Sequence, residues 1–282
     1  MEKNTLKEML LNARQGKYAV GAFNIFNHMS AKAVVQAAKE LKAPLILQTS
    51  VSTVKKIGVD DLIRMLNLLK ENAGIPIDIH LDHCTDVELA KKCVDAGWDS
   101  VMIDASEKPF DENIAVTAEI RKYAAAKNVG VEGELGVIRG VEEEVSSDVE
   151  VATKYEDAIE FVNRTGVDAF APAIGTAHGL YTKKAVLNFD LVKRICDTCD
   201  CPLVVHGGTG LSDDDFRKLI ELGATKINIS TAVKHAYFGG YQKYFELNPT
   251  DRNPLKLDEF VEKEIREVAK THLTLFNAVN KA

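Results

Sequence analysis

Three histidines occupy places where a chain of alternating strands and helices puts its chemistry. His83 follows the apolar run IPIDIHL, His178 lies in the turn GTAHG, and His206 ends the run PLVVH. Taken singly, each reads as a hydrogen-bonded structural residue. Three imidazoles from three strand ends, converging on one mouth, instead match the neutral nitrogen ligands of a catalytic Zn2+ with a coordination position left open for substrate. His28, His80, His235 and His272 have no such placement, and His80 either points away by strand alternation or serves as support.

Acids and glycines fill in the rest of a site. Asp82 adjoins His83, and a carboxylate beside a metal-held substrate can act as acid or base. Asp104 and Glu134 end two further strand runs. They read equally as groups that orient ligands, as a second metal position, or as polar residues of a barrel's upper layer. The segment His206-Gly207-Gly208-Thr209-Gly210 leads into a helix capped at Ser212, and another run ends in Asn228-Ile229-Ser230-Thr231. Glycines let backbone N–H groups approach phosphate oxygens, helix N-termini add positive potential and hydroxyls donate further bonds. The pair therefore reads as a phosphate site rather than as two plain turns.

Residues so far apart in sequence need a frame that brings strand ends together. Short β-rich runs alternate with segments of helical period at 19–24, 44–49, 75–81, 100–103, 130–135, 169–173, 203–206 and 226–230. Eight right-handed βα units close most simply into a (β/α)8 TIM barrel, and the loops after the last two strands are where such barrels hold phosphate. A doubly wound open sheet is the alternative fold. Helix signals support the series: Ser212 with Asp215 makes a capping box ahead of Phe216, Leu219 and Ile220, and Asp86 to Ala96 is closed by Gly97. The acidic stretch 136–148 reads as a mobile active-site loop, or equally as a solvated surface loop if the neighbouring strand ends carry no chemistry. Residues 256–282 have helical spacing and are expected to pack beneath or beside the barrel as extra C-terminal helices.

A chain of 282 residues with 46% hydrophobic composition suits one barrel domain over residues 1–282. A net charge of −7 argues against nucleic-acid or anionic-membrane partners, so an anionic substrate has to be met locally. The N-terminus lacks the basic start and apolar run of a signal peptide and no stretch is long enough to span a membrane, which points to a cytoplasmic protein. Cys196, Cys199 and Cys201 cluster without a second CxxC and read as reduced thiols near a helix end.

The motifs HLDH at 80–83, MIDAS at 102–106, GELG at 133–136, GTAHG at 175–179, HGGTG at 206–210 and NIST at 228–231 jointly resemble the class II fructose- and tagatose-bisphosphate aldolases. The resemblance runs in order from about Tyr18 to Thr231 and implies a (β/α)8 barrel assembled as a homodimer or homotetramer. It implies His83, His178 and His206 as Zn2+ ligands and Asp104 and Glu134 as an alternative metal position. By the same resemblance Asp82 is the catalytic acid and base at the aldehyde oxygen, and Glu142 is an acid that exchanges a proton with the three-carbon donor. Gly179, Gly207, Gly208, Thr209, Asn228, Ile229, Ser230 and Thr231 then form the dihydroxyacetone phosphate site. Ser50 stands where relatives contact the distal phosphate, and backbone carbonyls near Ala177 and Gly207 stand where relatives hold Na+ or K+. The implied reaction opens the C3–C4 bond of a phosphorylated ketose, giving dihydroxyacetone phosphate and an aldehyde. The metal chelates the C2 carbonyl and C3 hydroxyl oxygens while Asp82 takes the C4 hydroxyl proton.

One departure stands out. Relatives that split bisphosphates carry an Asp-Pro-Arg triplet whose arginine binds the distal phosphate in a neighbouring subunit's site, whereas this chain reads Asn253-Pro254-Leu255. QTSVSTVKK at 48–56 also differs from the glycine-rich sequence expected there. A ketose 1-phosphate whose different tail meets Gln48, Ser50, Lys55 or Arg252 is therefore the expected substrate, with Lys256 or Arg252 as the alternative anchor for a distal phosphate. A Schiff-base aldolase is disfavoured because AFAPA carries no lysine and Lys226 is expected to begin its strand. A non-catalytic scaffold with an aldolase fold is the reading from another class.

Overall fold

The strand runs carry apolar residues on both faces, as strands buried between a helical layer and a barrel interior must. The computed structural model describes residues 6–142, 145–147, 151–179 and 185–282. Its first half runs α1 (Leu6–Gly16), β1 (Val20–Ile25), α2 (His28–Leu41), β2 (Leu45–Ser50), α3 (Val51–Ile57), α4 (Val59–Glu71), β3 (Ile77–Cys84), α5 (Val87–Ala96), β4 (Ser100–Ile103), α6 (Phe110–Ala125) and β5 (Gly130–Leu135). The second half runs β6 (Arg139–Glu142), β7 (Val145–Ser147), α7 (Tyr155–Thr165), β8 (Ala169–Pro172), β9 (Ala177–His178), α8 (Phe189–Thr198), β10 (Leu203–Val205), α9 (Asp213–Glu221), β11 (Ala224–Ile229), α10 (Thr231–Leu247) and α11 (Pro254–Leu275). Eight strands close a parallel barrel in the order β1-β11-β10-β8-β5-β4-β3-β2. The closed TIM barrel is the expected fold, and the open-sheet alternative falls with the β1–β11 pairing, which joins Val20 to Lys226 and Phe23 to Ile229.

Local signals act where expected. Ser212 accepts from the Asp215 N–H at 3.2 Å while Asp215 accepts from the Ser212 N–H at 3.1 Å, which satisfies two donors that a helix start leaves orphaned. Asp86 caps α5 through the N–H groups of Glu88 and Leu89, and Gly97 closes it at φ +100°. The three clustered cysteines are free thiols around the end of α8. The carbonyls of Cys196 and Cys199 accept hydrogen bonds from Arg14, which caps that helix from α1. No helix among the described residues is long and apolar enough to cross a membrane.

Three expectations change. The acidic stretch is not simply a loop: β6 and β7 form an antiparallel hairpin, and β6 also pairs in parallel with β9, placing Gly140 opposite His178. Strand β11 begins at Ala224, so Lys226 is its third residue and lies fully buried. Strand β3 does not stop at Leu81 but continues through Asp82 and His83 to Cys84. The C-terminal helix α11 lies beside α2, with Lys32–Glu262 at 3.0 Å and Lys270–Glu40 at 3.1 Å, and the Ala19 N–H donates to the Phe276 carbonyl at 3.0 Å.

Polar residues recur with period two on the inward faces: Asp78, His80 and Asp82 on β3, Glu132 and Glu134 on β5, and Lys226 and Asn228 on β11. All of these are buried. Their contacts cross the barrel rather than run along one strand, as between Lys226 on β11 and Glu132 on β5 at 2.8 Å. A polar interior of this kind persists only if nearly every group finds a partner.

Candidate metal and phosphate site at the barrel mouth

Alternation alone would send Asp82 and His83 to opposite faces of β3. The pairing of β3 with β4 shifts between Leu81 and Cys84, and His83 takes φ +45°, a left-handed conformation uncommon outside glycine. Both side chains therefore reach the same cluster. His83 Nδ1 lies 2.9 Å from Asp104 Oδ2, and His83 Nε2 lies 2.8 Å from His206 Nδ1. His206 Nε2 lies 2.7 Å from Glu132 Oε1. Glu134 Oε2 stands 3.9 Å from His83 Nδ1 and 3.6 Å from His206 Nδ1, buried and without a hydrogen-bond partner.

Asp82 is held from two sides. Asn24 Nδ2 donates to its Oδ2 at 2.7 Å, Asn228 Nδ2 approaches Oδ1 at 3.4 Å, and Gln48 Nε2 donates to Asn24 Oδ1 at 2.9 Å. Gln48, expected at the substrate tail, is fully buried in this amide relay instead. It faces inward from β2 and so sits behind Asn24. Asp104 is fixed by the backbone N–H and the hydroxyl of Ser106, at 3.1 and 2.7 Å.

Charge is strongly partitioned here. Burial would push the His83 imidazole down, but Asp82, Asp104 and Glu134 outweigh it and hold its pKa well above the ordinary value. Burial, with the charges of His83 and Lys226 adding to it, drives His206 well below. Burial and then Asp104 push Glu134 far up; burial would do the same to Asp104, but the hydrogen bond and charge of His83 and the two Ser106 donors together outweigh it and hold Asp104 down. Candidate ligand atoms of Asp82, His83 and His206 lie within 4.8 Å of one another, and so do those of His83, Asp104 and Glu134. Two imidazole nitrogens facing each other, beside a partnerless buried carboxylate oxygen, form an N/O donor set that suits a divalent ion. His178 and Glu142 contribute backbone to β9 and β6, and their side chains lie outside the described residues.

Beside this cluster lies a cleft lined by Gly179, Gly207, Gly208, Thr209, Asn228, Ser230 and Thr231. Gly207 has φ +65°, and a Cβ there would run into the Ala177 carbonyl; a Cβ on Gly208 would meet the Asn228 carbonyl at 2.8 Å. The backbone can approach so closely only because both residues are glycine. Ser230 Oγ is buried with no hydrogen-bond partner. Between Asn228 and Ser230, which line the cleft, Ile229 turns its fully buried side chain into the core. The Ser50 hydroxyl is already engaged as the N-cap of α3, accepting from the Thr53 N–H at 3.2 Å and donating to Thr53 Oγ1 at 3.0 Å.

A family model described as "Fructose-bisphosphate aldolase class-II" matches residues 4–281. The chain belongs to the class II fructose-bisphosphate aldolase family. It is 39% identical over 256 residues to a fructose-bisphosphate aldolase of Geobacillus stearothermophilus, covering 90% of this chain and 89% of that one. It is 37% identical over 281 residues to a fructose-bisphosphate aldolase of Staphylococcus aureus, covering 99% and 98%. Among solved structures it is similar to the YdjI aldolase from Escherichia coli K12, with TM-score 0.86, 32% identity and 98% of each chain covered. Membership makes the chain a lyase of carbohydrate metabolism and implies a divalent metal, with which the buried His/Asp/Glu cluster is consistent.

Sequence reasoning passed over part of this class II aldolase site. Asn24 and Glu132 are not among the expected site residues, Lys226 is expected only as the start of its strand, and His80 is expected either to point away or to serve as support. On β3 it shares the face of Asp82, two residues on, so alternation turns it inward as support, with Nδ1 2.7 Å from Ser100 Oγ. The period-two polar pattern in GVEGEL, IDIHLDHC and ATKINI was the signal available.

Proposed function

We propose that this class II aldolase is a cytoplasmic, zinc-dependent enzyme that reversibly cleaves a phosphorylated ketose into dihydroxyacetone phosphate and an aldehyde. The observation that carries this reading is the meeting of His83 Nε2 and His206 Nδ1 at 2.8 Å beside Asp82 and the partnerless Glu134 oxygen. His83, His178 and His206 would hold the ion, with Asp104 and Glu134 as an alternative position. When bound, a divalent ion supplies Lewis-acid stabilisation of negative charge developing on the ketose oxygens. Asp82 takes the C4 hydroxyl proton as the C3–C4 bond opens, and returns it in the condensation direction. Its hydrogen bond from Asn24 fixes one carboxylate oxygen and orients the other. Glu142 returns a proton to the donor carbon.

The cleft of Gly179, Gly207, Gly208, Thr209, Asn228, Ser230 and Thr231 takes the 1-phosphate on backbone N–H groups and hydroxyls. The carbonyls near Ala177 and Gly207 offer a monovalent cation, Na+ or K+, to that phosphate. Where relatives carry the arginine that reaches a neighbouring subunit's site, Leu255 is 77% exposed, Lys256 pairs with Asp251 at 3.3 Å and Arg252 donates to the carbonyls of Pro249 and Asp251. The leucine in place of that guanidinium favours a ketose 1-phosphate with a different tail over a bisphosphate. Exposed Phe238, Phe245 and Leu247 on α10 support a homodimer or homotetramer, and we read residues 1–282 as one barrel domain. A coupled assay for dihydroxyacetone phosphate over a panel of ketose phosphates, with and without chelator, tests the reading. Full cleavage after exhaustive metal removal would overturn it. A metal-loaded protein that cleaves none of the panel would favour the scaffold.

A further inference from the structure

We propose that Lys226 and Glu132 are positioning residues that lock the ring tautomer of His206, so that its Nδ1 lone pair faces the metal position. This rests on the reading of His206 as a ligand. A neutral imidazole carries one N–H, and the hydrogen bond made by one nitrogen decides which atom is left with a lone pair. His206 Nε2 meets Glu132 Oε1 at 2.7 Å, and an ionised carboxylate only accepts. The ring proton is thereby assigned to Nε2. Nδ1, 2.8 Å from His83 Nε2, is the nitrogen that keeps the lone pair.

Lys226 makes this assignment one-sided. Its ammonium, which has donors and no acceptor, sits 2.8 Å from Glu132 Oε2, and both side chains are fully buried. The contact spans the barrel from β11 to β5. His80 does not compete for the carboxylate: the Ser100 hydroxyl donates to Asp78, so it accepts from His80 Nδ1–H, which leaves His80 Nε2 without a proton, 3.6 Å from Glu132 Oε2. A buried ion pair is weak evidence for stability, since apolar residues of similar volume do as well. Its placement directly behind a candidate ligand is what the fold has to explain. Carboxylates that orient metal-bound imidazoles in this way are commonly worth tenfold to hundredfold in metal affinity.

Nitrogen-15 NMR of the histidine-labelled, chelator-stripped protein tests this before any metal is added. A pyrrole-type shift at His206 Nε2 with a pyridine-type shift at Nδ1 is expected; the reverse, or protonation of both nitrogens, overturns the proposal. The second arm uses Glu132→Gln. Lys226 draws the amide oxygen to itself and turns the NH2 group toward His206, so the ring proton should move to Nδ1 and Zn2+ affinity in chelator competition should fall roughly tenfold to hundredfold. In the double variant Glu132→Gln/Lys226→Met the amide is free to rotate, and most of that affinity should return. Glu132→Gln binding Zn2+ within about twofold of the parent, or a double variant that recovers nothing, would sink the mechanism. A parent that binds no Zn2+ would instead sink the metal reading, and the tautomer measurement would still decide this one. If the variants misfold, the parent's spectrum alone decides.

Discussion

Two hollows of this molecule differ in size and in what lines them. The larger, about 900 Å3, lies on the outer flank between α2 and the α10–α11 pair. Its charges pair in the open, as Lys32 does with Glu262 and Lys256 with Asp251, and none of its residues is a candidate ligand. The mouth of the barrel has the smaller cleft, yet beside it two imidazoles touch and their proton affinities are driven apart, His83 upward and His206 downward. Chemistry goes with buried groups whose neighbours pull their protonation states in opposite directions; volume alone does not mark it. In the flank groove, solvent screens each pair. At the mouth, every charge changes its neighbours.

The comparison can be broken most directly at Asp82. Asp82→Ala should keep metal and phosphate binding while cleavage falls by roughly 10²–10⁴, and turnover at the parent's rate would remove it from the mechanism. Nearly as large an effect is expected in stability from Lys226→Met, which strands Glu132 without its buried counter-charge and should cost on the order of 3–5 kcal/mol in urea unfolding. Glu132→Gln/Lys226→Met should cost much less, and equal losses would mean the two charges are not coupled. On the flank, Leu255→Arg should raise kcat/KM for fructose 1,6-bisphosphate relative to ketose 1-phosphates by roughly tenfold to hundredfold, the worth of about 1.5–3 kcal/mol for a charged hydrogen bond. No shift in preference would mean that residue 255 does not reach the distal end of the substrate in a neighbouring subunit's site. Lys32→Ala, in the same groove, should cost less than about 1 kcal/mol and leave cleavage unchanged; a marked loss of activity would make the groove part of the site.

The floor of the barrel gives a pH-dependent version of the same contrast. Burial and then Asp99 raise the Asp78 carboxyl from 3.8 to about 7. Because the folded state holds this proton more tightly than the unfolded chain, its contribution is fully present below the unfolded pKa and is lost as pH rises through about 7. Denaturation midpoints followed across that window should fall with pH, and Asp78→Asn should flatten the slope. An unchanged slope in that variant would assign the proton elsewhere.

How much was legible follows from the range of each interaction. Ser212 with Asp215 and Asp86 with Gly97 act within one helical turn, so their caps could be read directly. The hairpin of β6 and β7 could not, because its partner β9 lies more than thirty residues on and the segment shows no apolar alternation. Lys226 looked like a strand start because a lysine inside a barrel is tolerable only opposite a buried acid, and that acid, Glu132, is 94 residues away.

The sequence by itself determined the barrel, through eight short β-rich runs separated by helical segments, and it placed His83, His178 and His206 at or near strand ends. What only the tertiary structure decided was direction and partnership. The shifted register of β3 and the left-handed His83 bring two adjacent side chains into one cluster, and parallel strands that are distant in sequence set Glu132 behind His206 and Asn24 beside Asp82. Period and caps are local properties of the chain. The charge state and facing of a buried side chain depend on groups that closure of the barrel alone brings within hydrogen-bond distance.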